Sequence, residues 1–271
     1  MPQRMIRGCD YYVEENGTGQ ETVLFLHGLF MSGRAWHNQV LALRSRFRCV
    51  AIDLRGHSRS GSPSGGYDMD SLAEDIVKLI EVGGYAPTHI VGCAMGATIA
   101  MHVAVKRPEL VRSLTLMSAT MSDEEAGQRR QYWFSSIAMR LLGTRVFAGT
   151  LMRKLFGEHF RRDEDRKIQV NHWRTEFGKH NAKGIAQALR AYARREDLGN
   201  LVGRIRAPTL IYSGEQDRIC HPRDGIALNS AISGSRYVTS PKAAHCPAVE
   251  TPDEVSEALI GFLSSLQPRK R

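Results

Sequence analysis

The sequence predicts an α/β architecture: a mostly parallel sheet with helices on both faces and a helical insertion near the middle. Three observations carry this expectation. Short apolar runs of strand length recur along the chain, one-faced helical patterns fall between them, and the interval from about 119 to 198 breaks the alternation. Strands that alternate with helices imply parallel pairing, because a parallel pair needs a long crossover and that crossover is usually a helix.

Thr22-Val23-Leu24-Phe25-Leu26 is the first strand, an unbroken apolar run that ends in a tight loop at His27-Gly28. Residues 47–54 form the second. From Ser71 to Val82, Leu72, Ile76, Leu79 and Ile80 share one helical face, with Asp70 or Ser71 available as the cap. Residues 88–92 are the third strand, followed directly by a helix over 95–105. Leu114-Thr115-Leu116-Met117 is the fourth strand. Residues 119–198 lack β-like runs and are rich in Arg, Met, Ala and aromatics, so they are expected to form a helical cap between two strands. Residues 209–212 and 236–238 are the fifth and sixth strands. The last helix, over 252–263, opens with Thr251 before a proline, a common helix start. The expected units are therefore a core of 1–118 with 199–271 and a cap of 119–198.

The chain has 271 residues, enough for one large α/β unit or two domains of ~150 residues. No run of about 18 apolar residues occurs, so no membrane span is expected. Met1-Pro2-Gln3-Arg4-Met5-Ile6-Arg7 has no long apolar stretch after its charges, so no signal peptide is expected either. The five cysteines are odd in number and form no CxxC pair, which suggests free thiols and a reducing cytoplasm. The formal net charge is +9; residues 121–197 hold 16 Lys/Arg against 10 Asp/Glu, and Arg269-Lys270-Arg271 add three more cations. These cations are interleaved with acids rather than gathered in a stripe, which argues against a nucleic-acid partner. A solvated basic surface is the plainer meaning, and a small anionic substrate the sharper one. No His/Cys/Asp cluster has ligand spacing, so neither a metal nor an organic cofactor is expected. A homodimer is left open.

The chemistry centres on Gly92-Cys93-Ala94-Met95-Gly96, between the third strand and its helix. In the Gly-x-Ser-x-Gly pattern, a nucleophilic serine stands on a sharp strand-to-helix turn. Here the middle residue is alanine. His27-Gly28, the run Asp53-Leu54-Arg55-Gly56-His57-Ser58-Arg59-Ser60, this elbow, Gly214-Glu215-Gln216-Asp217 and Ala244-His245 follow in that order. With these motifs the chain resembles the α/β-hydrolase superfamily over nearly its full length.

The resemblance implies a nucleophile at position 94, an acid at Asp217 and a base at His245, in that chain order. His245 would take and return the proton, and Asp217 would orient the ring. The oxyanion donors implied are the Met95 N–H, at the start of a helix, and the Leu29 N–H, with Phe30 as its nearest rival. Gly28 is expected to permit unusual dihedrals in that loop. Asp53, Arg55 and His57 are expected to be structural, and Cys93 and Cys246 to be inert thiols. Among the aromatics of 119–198, Trp133, Phe134, Phe147, Phe156 and Trp173 could line a substrate pocket or form the cap's own core; Phe30, Trp133 and Trp173 are the contacts named for substrate.

Three meanings of Ala94 compete. The chain is an ester, thioester or lactone hydrolase inactivated by Ser→Ala, the preferred meaning because the remaining acid and base have no other evident use. Or it is a serine-independent member using His245–Asp217 directly, as the resemblance allows for cofactor-free dioxygenases and for aminoacrylate or carbamate hydrolases with a different elbow residue. Or it is a non-catalytic small-molecule-binding module on the same fold.

Overall fold

In the computed structural model, which describes residues 2–266, strand formation follows the alternation of side chains across a sheet. The strands are β1 (Gln3–Ile6), β2 (Cys9–Asn16), β3 (Thr22–Leu26), β4 (Arg48–Ile52), β5 (Thr88–Cys93), β6 (Val111–Met117), β7 (Thr209–Gly214) and β8 (Arg236–Ser240). They form one eight-stranded sheet in the order β1-β2-β4-β3-β5-β6-β7-β8. β1 and β2 pair antiparallel, β2 joins β4 antiparallel, and every pairing from β4 to β8 is parallel.

Each parallel strand from β3 to β7 feeds both faces. Val23 and Phe25 of β3 pack with Val40 and Leu43 of α1 (His37–Leu43) and with Val255, Leu259 and Phe262 of the C-terminal helix Pro252–Ser265. Leu24 and Leu26 pack on the other face, with Leu72 and Ile76 of α2 (Met69–Gly83) and Ile99 and Val103 of α3 (Met95–Lys106). Both faces are covered, which is why these strands read as continuous apolar runs.

The edge strands β1 and β2 escape a search for apolar runs. In β2, Cys9, Tyr11 and Val13 are buried while Asp10 and Glu14 are exposed, so only one face is apolar. The cap of α2 also lies two or three residues earlier than expected. Asp68, not Asp70 or Ser71, accepts the Ser71 N–H at 2.8 Å. Asp70 instead reaches across to α3, within 2.9 Å of Lys106 Nζ and 2.7 Å of His102 Nδ1.

Between β6 and β7 the chain leaves the sheet and forms α4 (Ala126–Leu142), α5 (Ala148–Leu155), α6 (Glu158–Arg162), α7 (Lys167–Phe177) and α8 (Ala182–Ala193). α5–α8 have a core of their own, in which Leu151, Phe156, Phe160, Trp173, Phe177, Ile185 and Leu189 pack with Phe30 and Met31 of the sheet's loop. No described helix is long and apolar enough to cross a membrane. The basic tail Arg269-Lys270-Arg271 lies outside the described residues.

Candidate active site

The elbow is built by close approach. β5 passes at Ala94 into α3, and Ala94 holds φ 48° and ψ −112°, outside the regions open to an ordinary L-residue. The turn can be this tight because a Cβ at Gly92 would sit 2.5 Å from the Gly96 carbonyl oxygen, and one at Gly96 would sit 2.2 Å from that of Leu26. The Ala94 methyl faces a cavity of about 830 Å³, together with Leu29, Phe30, Tyr192 and His245.

Asp217 lies just past β7 and His245 just past β8, on loops at the carboxyl ends of their strands, where a parallel sheet presents its chemistry. The structure brings them together: His245 Nδ1 lies 2.9 Å from Asp217 Oδ2, with both residues buried. The other Asp217 oxygen accepts the backbone N–H groups of Ile219 at 2.8 Å and Cys220 at 3.1 Å. An ionised carboxylate only accepts, so Nδ1 carries the proton and donates it in the hydrogen bond, leaving Nε2 as the ring's basic atom. Burial pushes the His245 pKa down, but the Asp217 charge and hydrogen bond outweigh it and raise the pKa above the usual 6.5.

The loop after β3 fixes one expected oxyanion donor. Leu54 N–H donates to His27 Nε2 at 2.8 Å, so the ring proton is on Nδ1, which donates to the Gly28 carbonyl at 2.8 Å. Met31 N–H donates to the same carbonyl at 3.1 Å. In a trans peptide C=O and N–H point oppositely, so pinning the Gly28 carbonyl aims the Leu29 N–H the other way. Met95 is the first residue of α3, where N–H groups have no intrahelical acceptor. The unusual dihedral of this loop belongs to Phe30, at φ 67°, and not to Gly28, which is absent from the positive-φ residues. A Cβ at Gly28 would lie 3.4 Å from the Ala94 methyl, in van der Waals contact with it, so neither dihedral nor space demands glycine there.

Asp53 accepts from Gly33 N–H at 2.7 Å and from Arg59 Nε at 2.6 Å, Arg55 pairs with Asp75 at 2.7 Å, and His57 Nδ1 lies 3.0 Å from the Arg55 carbonyl; all three brace loops, as expected. Burial pushes the Cys93 and Cys246 thiols up, away from the reactive thiolate.

Two expected substrate contacts need correction. Trp173 is buried against Phe156 and Phe177, with ring centroids 6.2 and 6.4 Å away, and does not line the cavity. Trp133 is 43% exposed and lies edge-on to Phe134 at 5.0 Å, also away from it. Apolar packing inside α5–α8 claims the first, and the outward turn of α4 places the second in solvent. Of the aromatics in the insertion, Phe147, Tyr132 and Tyr192 line the cavity, with Leu151 and Leu189. Phe30 also lines the cavity.

One residue of this site carries no sequence signal. Glu250, 1% exposed, accepts N–H groups from Ala244 at 3.2 Å and Cys246 at 2.9 Å, on either side of His245, and from Gly157 at 2.7 Å. Burial pushes its carboxyl up to about 7, against the pull of those three donors. Its partners are all backbone groups, invisible in residue identities.

The comparisons with known proteins agree with this architecture. "Putative non-heme bromoperoxidase BpoC" of Mycobacterium tuberculosis is 29% identical over 262 residues, covering 94% of this chain and 97% of that one. "Putative carbamate hydrolase RutD" of Azorhizobium caulinodans is 25% identical over 272 residues, covering 98% and 99%. The structure of a malate-bound thermophilic esterase from Thermogutta terrifontis superposes with a TM-score of 0.91 at 25% identity, over 98% of each chain. The family model for the alpha/beta hydrolase fold matches residues 21–252, from β3 to the start of the last helix, and takes in the elbow, Asp217 and His245. A strained strand-to-helix elbow on a mostly parallel sheet, with an acid and a base beyond later strands, therefore has its place: this chain belongs to the α/β-hydrolase family.

Proposed function

We propose that this chain hydrolyses an acyl bond of the ester, thioester, lactone or carbamate type by direct activation of water, with His245 as general base and Asp217 as the group that orients it. The observation that carries this reading is the buried His245–Asp217 hydrogen bond of 2.9 Å beside a cavity lined by both His245 and Ala94. A serine hydroxyl is missing there, and in this reading a water takes its place in the cavity. His245 Nε2 takes a proton from that water, and its oxygen bonds to the carbonyl carbon. The carbonyl oxygen becomes an oxyanion facing the Leu29 and Met95 N–H groups. Collapse breaks the bond to the leaving group, which receives the proton from His245. Likeness to a carbamate hydrolase over 98% of the chain supports a chemistry broader than esters.

In this reading residues 119–198 are a cap over a core of 1–118 and 199–271, since the cavity draws its walls from both. The five buried free cysteines suit a reducing compartment. A second reading, a serine-type ester hydrolase inactivated at position 94, is favoured by the dihedrals of Ala94: the conformation suits a presented nucleophile and gives alanine nothing.

One set of assays decides. The unmodified chain, Ala94→Ser and His245→Ala are compared on aryl esters and aryl carbamates. Direct water activation predicts turnover by the unmodified chain that falls at least about 10³-fold in His245→Ala. An unmodified chain no faster than His245→Ala, beside an Ala94→Ser form that gains orders of magnitude and is labelled by a fluorophosphonate, would sink it in favour of the second reading. Inactivity of all forms with tight ligand binding would point to a binding module.

A further inference from the structure

The segment after α7 returns to the core at a single imidazole. His180 is buried, and both ring nitrogens are engaged. Ser58 N–H donates to Nδ1 at 3.1 Å, so that nitrogen carries a lone pair and the proton of the neutral ring is on Nε2. Nε2–H then donates to the Phe30 carbonyl at 2.6 Å. The two backbone residues tied by this ring are both non-glycine residues at positive φ, Phe30 at 67° and Ser58 at 43°. Such conformations persist only where surrounding contacts over-determine them. Here one of the contacts comes from the helical insertion, not from the core. A second crossing lies beside it, where Glu176 of α7 approaches Arg34 at 3.5 Å.

Phe30 sits inside the Gly28–Met31 turn, whose Met31 N–H and Gly28 carbonyl hold the Leu29 peptide. We propose that His180 is a positioning residue for the oxyanion loop: in its neutral Nε2–H form it fixes the Phe30 carbonyl, so the Leu29 N–H is aimed only while the helical insertion is seated on the core. This rests on the hydrolytic reading of the site. The ring is kept neutral by burial, against the Phe30 carbonyl, Asp53 and Glu176; its other titratable neighbours are His57, 5.7 Å away, and His27, both kept neutral by burial.

Three variants separate the two contacts. His180→Gln keeps a donor near the Nε2 position, His180→Asn keeps an acceptor near Nδ1, and His180→Ala keeps neither. The expected result is a fall in kcat of about 10- to 100-fold in His180→Ala and His180→Asn, with KM nearly unchanged and partial rescue in His180→Gln, since a displaced oxyanion donor costs up to about 10³. Hydrogen exchange of the Met31 amide should quicken in the same order. Unchanged kcat and unchanged Met31 exchange in His180→Ala would overturn the proposal. So would equal losses of kcat and melting temperature in all three variants, with no rescue by glutamine. If no form of the chain hydrolyses anything, the hydrolytic reading fails on its own. Met31 exchange, with the ¹⁵N shifts that report the His180 tautomer, then decides whether the ring holds the turn.

Discussion

A base works only when it is unprotonated, and at His245, the base of the proposed mechanism, the protein makes that harder. Asp217 raises the imidazole pKa above the usual 6.5 despite burial, so the acid limb of kcat/KM should fall above pH 6.5. Replacing Asp217 by Asn removes the charge that raises it. The limb should move to lower pH, and kcat should drop by about 10³–10⁴ because the amide no longer selects the productive tautomer. A pH–rate profile of both forms checks this; a limb that stays in place would mean that a group other than His245 titrates. The Asp217–His245 pair was legible in the sequence because residue type, order and loop position single it out, and the structure brings the two into contact. Glu250 and His180 were not, because what they hold are backbone N–H and C=O groups about 90 and 150 positions away at the farthest. Trp173 misled for the opposite reason: an aromatic at helical spacing fits a pocket wall and a small core equally well, and packing chose the core.

Among the elements, the junction of β3, β5 and α3 is the tightest. A Cβ at Gly96 would stand 2.2 Å from the Leu26 carbonyl oxygen, a backbone atom that cannot step aside, whereas one at Gly28 would meet nothing closer than 3.4 Å. Gly96→Ala should therefore destabilise by about 3 kcal/mol or more, as overpacking does when the backbone must move, and Gly28→Ala should fold with a near-native melting temperature. Urea unfolding of the two variants tests this; equal stability would show that α3 can slide off the sheet freely. Five of the six parallel strands, β3 to β7, were legible because burial on both faces makes them largely apolar runs; β8, at the sheet edge, was read from Tyr237 and Val238 although neither is fully buried. β1 and β2 were not, since their charged residues face solvent and their partners come from hairpin and edge pairing. The cap of α2 was misplaced within one turn, where Asp68, Asp70 and Ser71 all have capping side chains and only the chain's path chooses among them.

Over the whole molecule, charge and cavity meet at one mouth. Arg153, Lys154, Arg218 and Arg223 line the cavity with Asp123, Glu125 and Asp224, while Arg195 is neutralised by Glu124 at 2.6 Å. With a net charge of +9 behind it, this mouth should favour a carboxylate-bearing ester over its neutral isostere. The ratio of their kcat/KM values should shrink as ionic strength rises from about 0.01 to about 1 M, because exposed charges are screened. Equal rates at low salt would remove anionic preference as the meaning of the basic insertion. The fold class was legible at this scale, and the cavity was not, because its walls come from segments more than a hundred residues apart. Glu250 also sets how this chain can change over generations. One carboxylate serves the loop of the base and the Gly157 amide of the insertion, at a place where a Cβ on residue 157 would come within 3.1 Å of it. The insertion is thus no interchangeable module: a substitute drawn from another lineage inherits an obligation at this peptide N–H, besides those at His180 and Glu176, and drift in its sequence stays tethered at such points.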